Sequence, residues 1–207
     1  KIMDALAPNI TDKLMQFHCT TTDIAGIPAL VARTGYTGED GFEIMPSAED
    51  ASNLWEILEK SGATPCGLGA RDVLRLEAGL LLHGADMDES CNPFEAGLDR
   101  FVYLNKQSVA STALSQIASE GVRKKLTGFQ MLGRGMPRHG YPIYKNAIKI
   151  GEVTSGGYSP TLDRYIGLGY VSSELATPGS SFVVDIRGKP VEAKAVALPF
   201  YSRRRSQ

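Results

Sequence analysis

The second half of the chain is a series of short β-type runs separated by turn residues, and this pattern restricts the possible fold more than any other feature. The runs are rich in apolar and β-branched residues and are broken by Gly, Pro, Asn or Asp; they cover residues 125–131, 141–144, 148–154, 165–171, 181–186 and 191–197. Six strands at this spacing predict a small all-β unit, either a sandwich or a barrel.

The first half of the chain mixes predicted strands with predicted helices. Strands are predicted for residues 15–23, 27–32 and 42–45, and helices for residues 70–79, from Asn92 onward and for 107–120. The clearest predicted helix begins at Ser47 and ends at Gly62. Ser47 can cap the helix together with Asp50, three residues later. Its apolar spacing predicts that Trp55 lies in the core. The change of pattern places a domain boundary near residues 106–122.

Charge and cysteine content exclude several classes of protein. The 207 residues contain 22 Lys and Arg against 23 Asp and Glu, so the net charge of -1 offers no broad attraction to nucleic acid or to anionic membranes. No segment approaches the ~20 consecutive apolar residues that a membrane span needs. Three cysteines without a C-x-x-C pair, and three scattered histidines, predict a reducing compartment and no metal site.

A glycine-rich run at residues 33–43 contains the densest group of polar side chains. Its carboxylates are Glu39, Asp40 and Glu43, and the run fits either a structural turn or a binding loop. Glu43 differs from the other two carboxylates because it falls in a predicted strand. Side chains alternate between the two faces of a strand, so Glu43 is expected on the face opposite to Phe42 and Ile44. There it is either a solvent-facing glutamate or a group suited to a planar ligand edge with two adjacent N–H donors.

Two arginines follow a glycine-rich helix entry at residues 67–69. Arg71 lies at the entry, where a helix start and a guanidinium would act on the same anion, and it is the better binding candidate. For both Arg71 and Arg75 the alternative is a surface ion pair, with Asp72 or Glu77 as the partner. The sequence contains no G-x-S-x-G elbow and no phosphate loop, so it offers binding groups without an evident catalytic nucleophile.

Five ordered motifs closely resemble the aminomethyltransferase (T-protein) family of the glycine cleavage system. They are RTGYTGEDGFEI, PCGLGARDVLRLEAGLLLHGADMDE, NPFEAGLDRFV, GEVTSGGYSPTLDRYIGLGYV and RGKPVEAKAVALPF, and together they extend over nearly the whole chain. The resemblance implies an α+β fold: part of a folate-binding α/β body followed by an antiparallel β-barrel. The implied domains are residues 1–106 for the folate-binding part, 107–122 for a helical connector and 123–207 for the barrel.

The resemblance also implies a function. Members of the family take an aminomethyl group from lipoylated H-protein and transfer it to tetrahydrofolate, which gives 5,10-methylenetetrahydrofolate and ammonia. Tyr36 and Glu43 match the family's folate-contacting tyrosine and glutamate, and Arg71 matches its folate-site arginine. Tetrahydrofolate and H-protein are therefore the expected partners, with no metal. The expected location is the cytoplasm of a bacterium or the mitochondrial matrix of a eukaryote.

The chain departs from the family pattern in two places. The resemblance places Lys1 near the middle of a full-length member, and no aspartate here matches the family's catalytic aspartate, so we expect no catalytic residue and no activity in these 207 residues alone. After Phe200 the chain reads Tyr201-Ser202 and then three arginines, where many members carry an aromatic residue that closes over folate. Tyr201 or one residue of Arg203 to Arg205 would take over that contact.

Two other interpretations share the architecture. One is the folate domain of a sarcosine- or dimethylglycine-oxidising flavoenzyme, whose flavin-binding part would lie outside these residues. The other is the non-catalytic folate-binding protein of iron–sulfur cluster maintenance, whose cysteine-containing K-G-C-Y-x-G-Q segment has no counterpart in the loop at residues 33–39.

Overall fold

The computed structural model describes residues 1–203, and the chain divides into two compact units, Lys1–Asp72 and Val73–Gln207. The domain bounds drawn from the sequence stay a prediction, because a compact unit and a family domain are different divisions of a chain. None of the helices described in residues 1–203 has the length and hydrophobicity needed to span a bilayer.

The first unit is built on a three-stranded antiparallel sheet with the strand order β1-β2-β3. Its elements are helices α1 (Ile2–Leu6) and α2 (Ile10–Lys13), strands β1 (Cys19–Ile24), β2 (Ile27–Ala32) and β3 (Glu43–Pro46), and helix α3 (Ala51–Lys60). Ala25 and Gly26 join the first two strands, and both have positive φ angles, of 52° and 84°. Such two-residue turns match the twist of a hairpin.

One face of this sheet carries the hydrophobic core of the unit. Strand β2 alternates between buried and exposed residues, and its buried members pack with Ile10, Leu14 and Leu54 from the helices. The opposite face exposes Leu30 and Met45, which are partners in the register of β2 and β3. Because side chains two residues apart share a face, Glu43 lies on this exposed face beside Met45.

The predicted contacts between Ser47 and Asp50 form before helix α3, but the helix begins at Ala51 and its core face differs from the predicted one. Ser47 Oγ donates to Asp50 Oδ2 at 2.9 Å and accepts the Asp50 N–H at 3.2 Å. The prediction that Trp55 lies in the core is wrong, because Trp55 is 55% exposed whereas Leu54 is 3% exposed. Adjacent helical residues differ by about 100° in direction, so burial of Leu54 turns Trp55 toward solvent.

The second unit contains a closed six-stranded antiparallel barrel with the order β4-β7-β6-β5-β8-β9. Its strands are β4 (Lys124–Met131), β5 (Pro142–Lys145), β6 (Ile148–Ser159), β7 (Arg164–Ser172), β8 (Ser181–Ile186) and β9 (Lys189–Val196). The predicted mixed fold with a C-terminal barrel is confirmed. Phe129 and Phe182 meet edge to face inside the barrel, with ring centroids 5.7 Å apart.

Helix α4 (Leu68–Glu77) contains the boundary between the units, and helix α5 (Ser111–Glu120) precedes the barrel. The α-helix predicted from Asn92 is wrong: the chain forms turns and then a 3-10 helix, Asp99–Phe101. The capping contacts do form, since Asn92 Oδ1 accepts the N–H groups of Phe94 and Glu95 at 3.0 Å each. Gly97, at φ 71°, ends the turn before a helix develops.

Candidate functional site

The glycine-rich loop connects β2 to β3 and contains no helix or strand between residues 34 and 42. Gly38 has a φ of 75° and is the loop glycine that needs the left-handed region. Gly35 and Gly41 have negative φ and open space at the Cβ position. The loop therefore returns the chain to the sheet through one left-handed residue and leaves room near its backbone.

Tyr36 and Arg71, both in the first unit, are brought together by the fold. The guanidinium carbon of Arg71 lies 4.9 Å from the centroid of the half-buried Tyr36 ring, within the range of a cation–π contact. Arg71 is exposed on the first turns of α4, and its backbone N–H donates to the Gly67 carbonyl at 3.2 Å. The Tyr36 ring therefore restrains the guanidinium of this exposed side chain.

Glu43 is the first residue of β3 and pairs in register with Ala32. Its side chain is exposed, and no described residue provides a hydrogen bond or an ion pair to its carboxylate. It makes neither kind of contact with Tyr36 or Arg71. The predicted site residues thus comprise one contacting pair and one separate carboxylate, all on or near the same loop.

Asp40 has a different role from Glu43, although the two look alike in the sequence. Arg33 binds it with both prongs of the guanidinium: Nε donates to Oδ1 at 2.9 Å and Nη2 to Oδ2 at 2.8 Å. Hydrogen bonding with Asp40 raises the pKa of Arg33, which therefore stays charged. Asp40 is therefore bound by Arg33 through both of its carboxylate oxygens.

Arg75 is buried in the second unit, so the interpretation of Arg75 as a surface arginine is wrong. Its Nη1 donates to Asp86 Oδ2 at 2.6 Å and its Nη2 to Ser155 Oγ at 2.8 Å. Glu77 is also buried, and its carboxylate accepts from Ser159 Oγ at 2.5 Å. The helical spacing did not reveal these partners because they lie 11 to 82 residues away.

The C-terminal segment contacts helix α4 through the backbone of Tyr201. The Tyr201 N–H donates to the Glu77 carbonyl at 2.8 Å, and Arg203 is exposed. Arg204 and Arg205 lie outside the described residues, so a folate contact from this end stays a prediction. Within residues 1–203 no group of three or more His, Cys, Asp or Glu side chains is arranged to hold a metal ion. Cys19, Cys66 and Cys91 are free thiols.

The chain matches two family models and a set of named proteins. Residues 1–106 match the GCVT N-terminal domain, and residues 124–202 match the glycine cleavage T-protein C-terminal barrel domain. It is 51% identical over 195 residues to the aminomethyltransferase of Thermosynechococcus vestitus, which covers 94% of this chain and 53% of that protein. The aminomethyltransferase of Rubrobacter xylanophilus is 50% identical over 195 residues, covering 93% and 52%.

A solved structure is similar over the same extent. The crystal structure of glycine cleavage system aminomethyltransferase T from Bartonella henselae superposes with a TM-score of 0.86 at 33% identity, covering 93% of this chain and 54% of that one. The chain thus spans about half the length of the relatives that it matches.

Proposed function

The chain belongs to the glycine cleavage T-protein family, and from this membership we propose that its protein is a tetrahydrofolate-dependent aminomethyltransferase. The proposed reaction transfers the aminomethyl carbon of lipoylated H-protein to tetrahydrofolate, giving 5,10-methylenetetrahydrofolate and ammonia. Folate N5 is the nucleophile and ammonia leaves the carbon. The carbon–sulfur bond to the lipoyl arm also breaks, which gives the dihydrolipoyl thiol, and folate N10 closes the methylene bridge. Positioning of folate and exclusion of water are then the main tasks of the protein side chains.

The observation that carries this proposal is the exposed Glu43 carboxylate, which has no hydrogen-bond or ion-pair partner among the described residues. It begins a strand, so its backbone is held by the β2–β3 pairing while its oxygens face outward. The pterin edge presents adjacent N–H donors, and one carboxylate grips two such donors with charge-assisted hydrogen bonds. We assign Glu43 to the pterin ring.

Tyr36 and Arg71 are assigned to the rest of the folate molecule. The glutamyl tail of folate carries carboxylates, which pair well with the planar fork of an arginine. The Tyr36 ring, 4.9 Å from the Arg71 guanidinium carbon, restrains that fork before the ligand arrives. Less side-chain freedom is then lost on binding than for an arginine that samples many rotamers.

The first prediction concerns the contribution of Glu43 to tetrahydrofolate binding, measured in the full-length protein. Glu43→Gln is expected to weaken tetrahydrofolate binding by about tenfold or more, because a neutral amide replaces one charged acceptor. Glu39→Gln, on the same loop, is expected to weaken it less. Isothermal titration of both variants measures the difference, and equal affinities would remove Glu43 from the site.

The second prediction concerns the 207 residues alone. No aspartate in them matches the family's catalytic aspartate, whose proposed role is to orient and help activate the attacking folate nitrogen. We therefore expect no release of ammonia when the purified chain is mixed with aminomethylated H-protein and tetrahydrofolate. Turnover by a preparation free of longer protein would refute this expectation.

A further inference from the structure

We propose that Arg33 and Asp40 are positioning residues for folate, because their ion pair closes the base of the loop that presents Tyr36 and leads into Glu43. This inference rests on the proposed function, which assigns Tyr36 and Glu43 to folate. It adds two residues that do not touch the ligand themselves. All four residues lie within the first unit.

The ion pair joins the two ends of the loop. Arg33 follows β2 directly, and Asp40 lies three residues before Glu43, the first residue of β3. Both carboxylate oxygens of Asp40 accept hydrogen bonds from Arg33, one from Nε at 2.9 Å and the other from Nη2 at 2.8 Å. Such two-pronged pairs fix direction as well as distance, so the loop between them is closed in a defined geometry.

Besides Asp40, the Arg33 guanidinium contacts two backbone carbonyls and an aromatic ring. Its Nη1 donates to the carbonyl of Thr11 within α2 and, at 2.8 Å, to the carbonyl of Leu14, the residue that follows α2. Its guanidinium carbon lies 5.8 Å from the centroid of the Phe42 ring, next to Glu43 in the chain. The side chains of Arg33 and Asp40 are 20% and 34% exposed, respectively. The pair thus anchors the loop to helix α2 rather than to a flexible surface group.

This anchoring affects binding because the loop lacks regular secondary structure. Residues 34–42 form no helix or strand, so the loop conformation depends on side-chain contacts. A loop closed before the ligand arrives loses less conformational entropy on binding. The Arg33 guanidinium is already occupied by Asp40 and two carbonyls, which separates its role from that of Arg71.

The test is tetrahydrofolate binding by Asp40→Asn in the complete protein, measured by isothermal titration. We expect the dissociation constant to rise by about tenfold, the order expected when one charge-assisted pair is lost. Asp40→Glu should recover most of the affinity because it restores the charge. Glu56→Gln is the matched control: it breaks the exposed Glu56–Lys60 pair of α3, 3.0 Å long, and should leave binding unchanged.

A double-variant cycle separates positioning from general stability. If Asp40 acts through Glu43, Asp40→Asn combined with Glu43→Gln weakens binding by less than the product of the two single effects. Strict multiplication of the two effects would overturn the inference. If Asp40→Asn fails to fold, Arg33→Lys replaces it in the cycle, since lysine keeps the charge but loses the fork.

The outcomes distinguish the inference from the proposed function. Wild-type affinity in Asp40→Asn, together with weak binding by Glu43→Gln, would overturn the positioning role and leave the proposed function standing. A complete wild-type protein that does not bind tetrahydrofolate would overturn both. Weak binding by Asp40→Asn, recovery by Asp40→Glu and a non-multiplicative cycle would support both.

Discussion

Replacing Asp86 by alanine is expected to lower the free energy of unfolding by about 3–5 kcal/mol, the cost of leaving a buried charge without its partner. Asp86 is 0% exposed, and Arg75, whose Nη1 lies 2.6 Å from Asp86 Oδ2, is 2% exposed. The alanine variant would keep the Arg75 guanidinium buried inside the second unit without the Asp86 carboxylate. The loss therefore exceeds that of an ordinary hydrogen bond.

The carboxylate of Asp86 also organises the chain around it. Besides Arg75 it accepts the Leu82 N–H at 2.9 Å and the Thr154 hydroxyl of β6 at 2.5 Å. The backbone carbonyl of Asp86 accepts the Tyr170 hydroxyl at 2.9 Å, and burial raises the pKa of Tyr170, which keeps that hydroxyl protonated as a donor. Asp86 thus connects helix α4 and the segment after it to two barrel strands.

Urea unfolding followed by circular dichroism measures the effect of Asp86→Ala. The matched control is Glu152→Gln, which removes the ion pair between Glu152 and Lys149; these side chains are 3.1 Å apart and 48% and 55% exposed. Exposed pairs contribute about 0–1 kcal/mol, so the control should unfold close to wild type. Equal losses in the two variants would contradict the assignment of a buried, charge-balancing role to Asp86.

Gly151→Ala is expected to destabilise the barrel by about 3 kcal/mol or more, at the upper end of the usual cost of overpacking. A Cβ atom at Gly151, in β6, would lie 1.8 Å from the carbonyl oxygen of Tyr170 in the neighbouring strand β7. That oxygen belongs to the backbone of a paired strand, where Gly151 is in register with Val171. It cannot move away without disturbing the pairing of β6 and β7.

Gly157→Ala, in the same strand, provides the control for this prediction. The nearest atom to a Cβ there is Leu76 Cδ2 at 3.9 Å, an ordinary van der Waals distance. Its effect on stability should lie within about 1 kcal/mol of zero, as for most substitutions without steric conflict. Thermal unfolding of both variants compares them directly, and a Gly151→Ala protein as stable as Gly157→Ala would contradict the close approach of β6 and β7.

Much of the fold could be predicted because local patterns specify it. The barrel strands appear in the sequence as short apolar runs between turn residues. Five of them lie within two residues of their predicted bounds, and β6 extends to Ser159, beyond its predicted end at residue 154. The turn that leads into α3 could be predicted because Ser47 and Asp50 are three residues apart and contact each other directly. The sheet closes into a barrel because its first strand, β4, pairs with its last, β9. These two strands are distant in the sequence, so local patterns do not distinguish a barrel from a sandwich.

The candidate site shows the same division. Residue types and spacing drew attention to Tyr36, Glu43 and Arg71, and the stacking of Arg71 on Tyr36 appears only in the folded unit. Glu43 and Asp40 have the same charge and lie in the same run, so the sequence could not assign them different roles. The structure separates them because Arg33 reaches Asp40 but not Glu43.

The sequence by itself determined the family of the chain, the order of its strands and of helices α3 to α5, and the residues offered for binding. Motif order and local periodicity are properties of neighbouring residues. Only the tertiary structure decided that Arg75 is buried against Asp86, that Trp55 is exposed, and that Gly151 admits no side chain. These facts depend on packing between segments distant along the chain. Many side chains in the sequence could pair with a given residue on chemical grounds. Which of them does so depends on how distant segments pack, and local sequence patterns carry no information about that packing.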